Sequence, residues 1–374
     1  MVDAQLTPTE GACQANSPGP SSLTAVAISS PSTSSNVRGG YLRFRDPEAA
    51  YLYFRNQPGT ARERLAVAEH GFALRYSDPV AMRDWCNAAL VGLPPDTDAH
   101  TAGLLHGYAG NSSRIMGEFP IAEQLINEAL ALCSANPLLL EFKASLLYDL
   151  YRLPEASEAL SRAAALRRQQ DDPLRLTSTL LQNAMVLELV EQSEQAASIA
   201  LNAVRTIASH PPSKQGEDLL RTALQNLASY LTSSGRPAEA LRVLRHSRPL
   251  LAHGGYRFEL RLDWLLGRIC SALGDDAGAR ETYVTIRERF VAEKMLQEVA
   301  LISLDLASHL LPTSPLEARA EVAYVGPILT QIGIPEDSQE FRLLRLILES
   351  TQPDLDHLTE LSRILSTRPR FRGF

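Results

Sequence analysis

Residues able to do chemistry are present, but none stands in a pattern that would use it. The chain has no G-x-x-x-x-G-K-[ST] or G-x-G-x-x-G phosphate cradle, no H-E-x-x-H zinc helix and no G-x-S-x-G nucleophile turn. Its eight histidines are scattered. His100 and His106, the closest helical pair, stand six apart and so on different helix faces. Asp275 and Asp276 would suit a metal, but two adjacent carboxylates at a turn before an apolar-periodic run serve as a helix cap. Glu155 and Glu158 fall at a helix start, where the macrodipole favours carboxylates, and make no acid–base pair. Cys13, Cys86, Cys133 and Cys270 form no C-x-x-C, which implies neither a disulfide framework nor a zinc site and fits a reducing compartment. The expectation is a non-catalytic chain with no cofactor and no metal.

Composition narrows the class further. At 374 residues, 45% hydrophobic and 21% charged, the sequence has ordinary folded-protein chemistry but is too long for one compact core unless it is a stack of repeats. A net charge of −7 gives no global attraction for nucleic acid or an anionic membrane. No apolar run approaches the roughly 18 residues of a membrane span. A cytoplasmic location is expected.

The elements that position the side chains are clearest between Arg261 and Phe290. Leu262, Leu266, Ile269 and Leu273 recur at the spacing of one helix face, and Ala279, Tyr283, Ile286 and Phe290 repeat it. Between them Gly274 can end the first helix in the left-handed conformation, and Asp275 or Asp276 can cap the second. Small residues at Gly267 and Ala279 let the two helices cross closely.

This helical hairpin resembles the tetratricopeptide repeat, whose pattern is W-x2-L-G-x2-Y followed by A-x3-F. Leu266-Gly267 supplies L-G, Cys270 stands at the Tyr position, and Ala279-x3-Tyr283 supplies the second-helix pair. Trp264 lies one residue nearer to Leu266 than the family pattern asks. The second-helix alanine recurs at Ala81, Ala122, Ala156, Ala196, Ala240, Ala279 and Ala318, in steps of 34 to 44 residues. Most steps exceed the usual 34 or so, and that long pitch is similar to repeat arrays of bacterial regulatory and signalling proteins. The resemblance implies an all-α fold, a right-handed α-solenoid of about seven hairpins. In such proteins the array often follows a DNA-binding or zinc-finger module, and neither is expected in residues 1–59.

The rest of the chain divides around that array. Residues 1–40 carry 16 Ser, Thr and Pro and are expected to be disordered. Residues 41–59 gather Tyr41, Phe44, Tyr51, Tyr53 and Phe54 around a helix starting at Asp46-Pro47. It caps the open apolar end of the stack, or else docks a partner through its aromatics. The array fills 60–333, two capping helices fill 334–367, and 368–374 is a basic tail expected to be solvated.

The resemblance also implies a concave groove lined by first helices. Carried over residue by residue, it falls on Asn111, Arg114, Glu141, Ser145, Tyr148, Met185, Glu188, Gln225, Ser229, Thr232, Trp264 and Arg268. Trp and Tyr suit apolar anchors, amides and hydroxyls suit a peptide backbone, and Arg suits a carboxylate. Trp264 and Tyr148 could equally pack between hairpins. The family's Lys/Asn carboxylate clamp is matched only at Asn111, so no chaperone co-factor role is expected. What is expected is an interaction scaffold for a peptide or protein partner, without nucleic acid or membrane. The alternative is a sensing arm, closing on a peptide or small ligand, in a bacterial signalling or transcription system. Nothing in the sequence sets the oligomeric state.

Overall fold

The computed structural model describes residues 44–75, 77–251, 255–350 and 354–367. The expected tails at 1–40 and 368–374, and Tyr41, lie outside the described residues. Seventeen helices and no strand occur among the described residues. A lone helix α1 (Pro47–Asn56) is followed by seven hairpins. These are α2 (Ala61–Ala73) with α3 (Pro79–Leu90), α4 (Ala99–Ile115) with α5 (Phe119–Leu132), and α6 (Pro137–Asp149) with α7 (Leu153–Gln169). Next come α8 (Pro173–Leu189) with α9 (Ser193–Ala208) and α10 (Lys214–Ser233) with α11 (Pro237–Leu251). Last are α12 (Tyr256–Ala272) with α13 (Asp276–Ala292) and α14 (Leu296–Leu310) with α15 (Pro315–Gln331). Two further helices, α16 (Gln339–Glu349) and α17 (Leu355–Thr367), complete the chain of elements.

Local chemistry sets where these helices start. Asp46 accepts a hydrogen bond from the Ala49 amide at 2.8 Å, with Pro47 at the first helical position, as its sequence requires. Thr60 and Glu63 bond each other's backbone amides reciprocally, closing a capping box on α2. Asp275 caps α13 by accepting from the Gly278 amide at 3.1 Å, which is a structural use of the carboxylate pair.

Five of the seven hairpins close in one way. After α4, α6, α8, α10 and α12 a single residue takes positive φ: Gly117, Tyr151, Glu191, Gly235 and Gly274. In each, that residue's amide bonds a carbonyl three back, and the next amide bonds a carbonyl five back. Tyr151 (φ 60°) and Glu191 (φ 62°) take without glycine a conformation that disfavours a β-carbon. The equivalence puts Arg114, Tyr148, Glu188, Thr232 and Ser271 at one and the same hairpin position.

Packing follows the alanine spacing. Ala122, Ala156, Ala196, Ala240, Ala279 and Ala318 are all buried, while Ala81 is partly buried beside buried Met82 and Trp85. A β-carbon at Gly267 would stand 3.0 Å from the Tyr283 ring and 3.1 Å from Thr282, so these helices cross where the small residues lie. The second-helix face Ala279, Tyr283, Ile286 and Phe290 is buried as expected. The α12 face is different: Leu260, Leu265 and Ile269 are buried, Leu262 and Leu266 are partly buried, and Leu273 is exposed. That helix touches α10, α11, α13 and α14, so more than one stripe of it meets neighbours and a single-face pattern cannot locate its centre.

Successive helices pack on each other, and first helices also touch first helices: α2 on α4, α4 on α6, α8 on α10, α10 on α12 and α12 on α14. Such repeated contact between first helices is what the inner face of a curved stack requires. Two buried ion pairs brace the hairpins, one within a hairpin and extended to the next by a hydrogen bond, the other between hairpins. Glu141 on α6 binds Arg167 of α7 at 3.1 Å and accepts from Thr179 of α8 at 2.8 Å. Arg261 of α12 meets Glu298 of α14 at 3.3 Å. At the far end α17 packs on α14, where Leu365 accepts from Gln297 at 2.6 Å. With this cover α14 is one of the most deeply buried helices.

Candidate ligand groove

The last turns of the first helices carry a row of polar side chains, and the structure sorts the twelve candidates along it. At α4 Asn111 is buried and accepts from Arg114 at 2.9 Å. Arg114 reaches across to α6 and binds Asp149 at 2.5 Å. Burial raises the Asp149 carboxyl above the usual aspartate range, and the Arg114 charge opposes that shift. Glu141 does not face the row. Only 3% exposed, it is held by Arg167 and Thr179 inside the wall between hairpins. Ser145 bonds its own helix at the Glu141 carbonyl, and Thr232 does the same at Ala228. Met185 is half-buried against the neighbouring core, Gln225 is buried, and Ser229 is partly exposed.

On α6, α8 and α10 three side chains lie within electrostatic reach of one another. Tyr148 and Glu188 occupy the equivalent position on α6 and α8, and Tyr230 comes from the last turns of α10. Tyr230 is 4% exposed, and its hydroxyl makes no hydrogen bond among the described residues. Oε2 of Glu188 is likewise buried and without a partner. Burial pushes the Tyr230 phenol well above the tyrosine range, and the charges of Glu188 and Tyr148 push the same way. Tyr148 is raised too, by burial and then by Asp149. Both phenols therefore keep their protons at neutral pH and remain donors.

At α12 to α14 the row is saturated. Trp264 donates its indole N–H to Asp305 at 2.8 Å and stands edge-on to Phe290 with ring centres 6.0 Å apart. Arg268 lies 4.0 Å from the same carboxylate, and Ser271 bonds His309 at 2.9 Å. Trp264 and Arg268 thus share one face, as their four-residue spacing requires, but converge on a residue of the chain itself.

Tyr230, Asp149 and Asp305 are the members of the row that the family register passes over. Tyr230 stands two residues after Ala228, between the carried-over positions Ser229 and Thr232. The one available signal was a large phenol among small polar residues. Nothing in this row matches a metal site, and among the described residues no group of three or more His, Cys, Asp or Glu could hold an ion. No helix among them is long and apolar enough to cross a membrane.

No family model matches the chain, and no curated protein sequence does. Among solved structures it is similar to a Rap protein complexed with Competence and Sporulation Factor, at TM-score 0.61 and 15% identity over 82% of this chain and 88% of that one. It is also similar to the apo form of RapI, at TM-score 0.50 and 14% identity over 82% of this chain and 84% of that one. Identities this low speak to the fold alone. That fold is an all-α solenoid of tetratricopeptide-like hairpins.

Proposed function

We propose that the chain is a non-catalytic, cytoplasmic interaction scaffold that takes a peptide or protein partner along the row of first-helix side chains. The observation that carries this is the alignment of Arg114, Tyr148, Glu188 and Thr232 at one hairpin position, with a Glu188 carboxylate oxygen in that row left without a partner among the described residues. A structure of similar fold complexed with a factor supports the same use of the fold. Of the twelve carried-over residues, Arg114, Ser145, Tyr148, Met185, Glu188, Ser229 and Thr232 would meet the partner directly. Asn111, Glu141, Gln225, Trp264 and Arg268 would hold the walls that present them. The scaffold would consist of the array at 60–333 between its caps. Capture from the native lysate by the full chain, compared with Ser229→Arg, tests the proposal. The bulky cation should abolish capture while leaving helix content unchanged. Equal capture by both would place binding elsewhere.

One contact favours the sensing alternative. Arg363 of α17 stacks over the Tyr151 ring at the α6–α7 turn, 4.0 Å from its centre, joining the last helix to the third hairpin. A ligand that changed the curvature of the stack would make or break this contact. Solution scattering should then show a change in particle dimensions when the captured partner is added, and an unchanged profile would exclude that role.

A further inference from the structure

The carboxylates near the row are matched with donors, with one exception. Asp149 has Arg114, Asp305 has the Trp264 indole with Arg268 near it, and Glu141 has Arg167 and Thr179. The Glu188 carboxylate has no hydrogen bond or ion pair among the described residues, although one of its oxygens is shut away from solvent. A buried carboxylate oxygen without a partner costs free energy that a well-placed donor would return. Tyr230, whose phenol feels the Glu188 charge, has a buried hydroxyl equally without a partner among the described residues.

The surroundings fix the sign of the missing group. Tyr148, Asp149, Glu188 and Tyr230 all lie in or next to the last turn of a first helix, where the macrodipole presents its negative end. Asp149 adds a second carboxylate, already balanced by Arg114. An anion here would face like charge. An ammonium or guanidinium would find a carboxylate, hydroxyl oxygens able to accept, and two phenol rings.

We propose that Glu188, Tyr230 and Tyr148 form a subsite for the cationic group of a bound peptide, the ammonium or guanidinium of a Lys or Arg side chain. This rests on the groove binding proposed above and names the chemistry at its centre. Glu188 is the charge partner, Tyr230 orients the cation through its hydroxyl oxygen, and Tyr148 walls the site on the α6 side.

The test is a random dodecapeptide library displayed on phage and selected on the full chain. The strongest peptide is then measured by fluorescence anisotropy. Selected peptides should share one Lys or Arg. Replacing it with norleucine should weaken binding about tenfold, and Glu188→Gln should weaken the original peptide about as much. Combined, the two changes should cost no more than either alone, because they remove the same contact. Should Glu188→Gln fail to fold, Tyr230→Phe replaces it, with an expected loss of about threefold. Peptides without a shared basic residue, or losses that simply add, would overturn the cation subsite and leave groove binding standing. No enrichment over a library selected on bare support would overturn both.

Discussion

At α12 to α14 Trp264, Arg268 and Asp305 meet one another, and Ser271 meets His309. At α6 to α10 the same stretch of first helix carries Glu188 and Tyr230, which leave buried polar atoms without partners. Both regions use the same hairpin, closed by the same backbone bonds. The difference is that one row bonds itself and the other does not, although deeper in α14 the buried Ser303 hydroxyl is also unmatched among the described residues. Polar side chains on an inner face are therefore no sign of binding in themselves. The informative feature is a buried donor or acceptor that the chain fails to match, because folding alone gives no reason to keep it.

Several changes would break or sharpen this contrast. The largest effect is expected at Glu141→Leu. It leaves the Arg167 charge buried and unbalanced, which should cost about 3–5 kcal/mol in denaturant unfolding. A cost under about 1 kcal/mol would mean that Glu141 is no part of the wall. Trp264→Ala should cost about 2–3 kcal/mol, somewhat less than a fully buried aromatic because part of the ring meets solvent. Peptide affinity at the α6–α10 centre should hold. Lost affinity with intact stability would return Trp264 to the role of groove anchor.

Asp305 supplies a pH test. Burial raises its carboxyl above the usual range, against the pull of Arg268 and the Trp264 indole. The folded state therefore holds the proton more tightly than the unfolded state does. The corresponding stability is fully present below the ordinary aspartate pKa and is lost as pH rises through the raised folded value. Asp305→Asn removes that loss. Its melting temperature relative to the unaltered chain should rise as pH increases above the ordinary aspartate pKa. A falling difference would show that Arg268 outweighs burial. The smallest effect is expected at Tyr230→Phe. Deleting a buried hydroxyl that has no partner should leave stability unchanged or raise it by up to about 1 kcal/mol, read from the denaturation midpoint. A clear loss would reveal a hydrogen bond and erase the contrast.

Much of the architecture was legible because it rests on local rules. Asp46-Pro47, Thr60 and Asp275 announce helix starts through chemistry that lies within three residues of them. The second-helix alanines could be read at a distance because close crossing tolerates little else there. The row of side chains was legible only in position. Whether Trp264 is anchor or wall depends on Asp305, 41 residues further on, and Glu141 depends on Arg167 and Thr179 in two other helices. α14 gains its depth from α17, whose docking no repeat pattern encodes. Pairing across hairpins is set by the curvature of the stack, so periodicity within a helix does not carry it.

Hydrogen–deuterium exchange of the full chain, with and without the strongest library-selected peptide, tests the central claim most directly. Bound peptide should slow exchange in the last turns of α6, α8 and α10 and in their following turns at Tyr151, Glu191 and Gly235. The α12–α14 stretch around Trp264 and Asp305 should stay unchanged. Protection confined to that stretch, or to the second helices, would contradict the account.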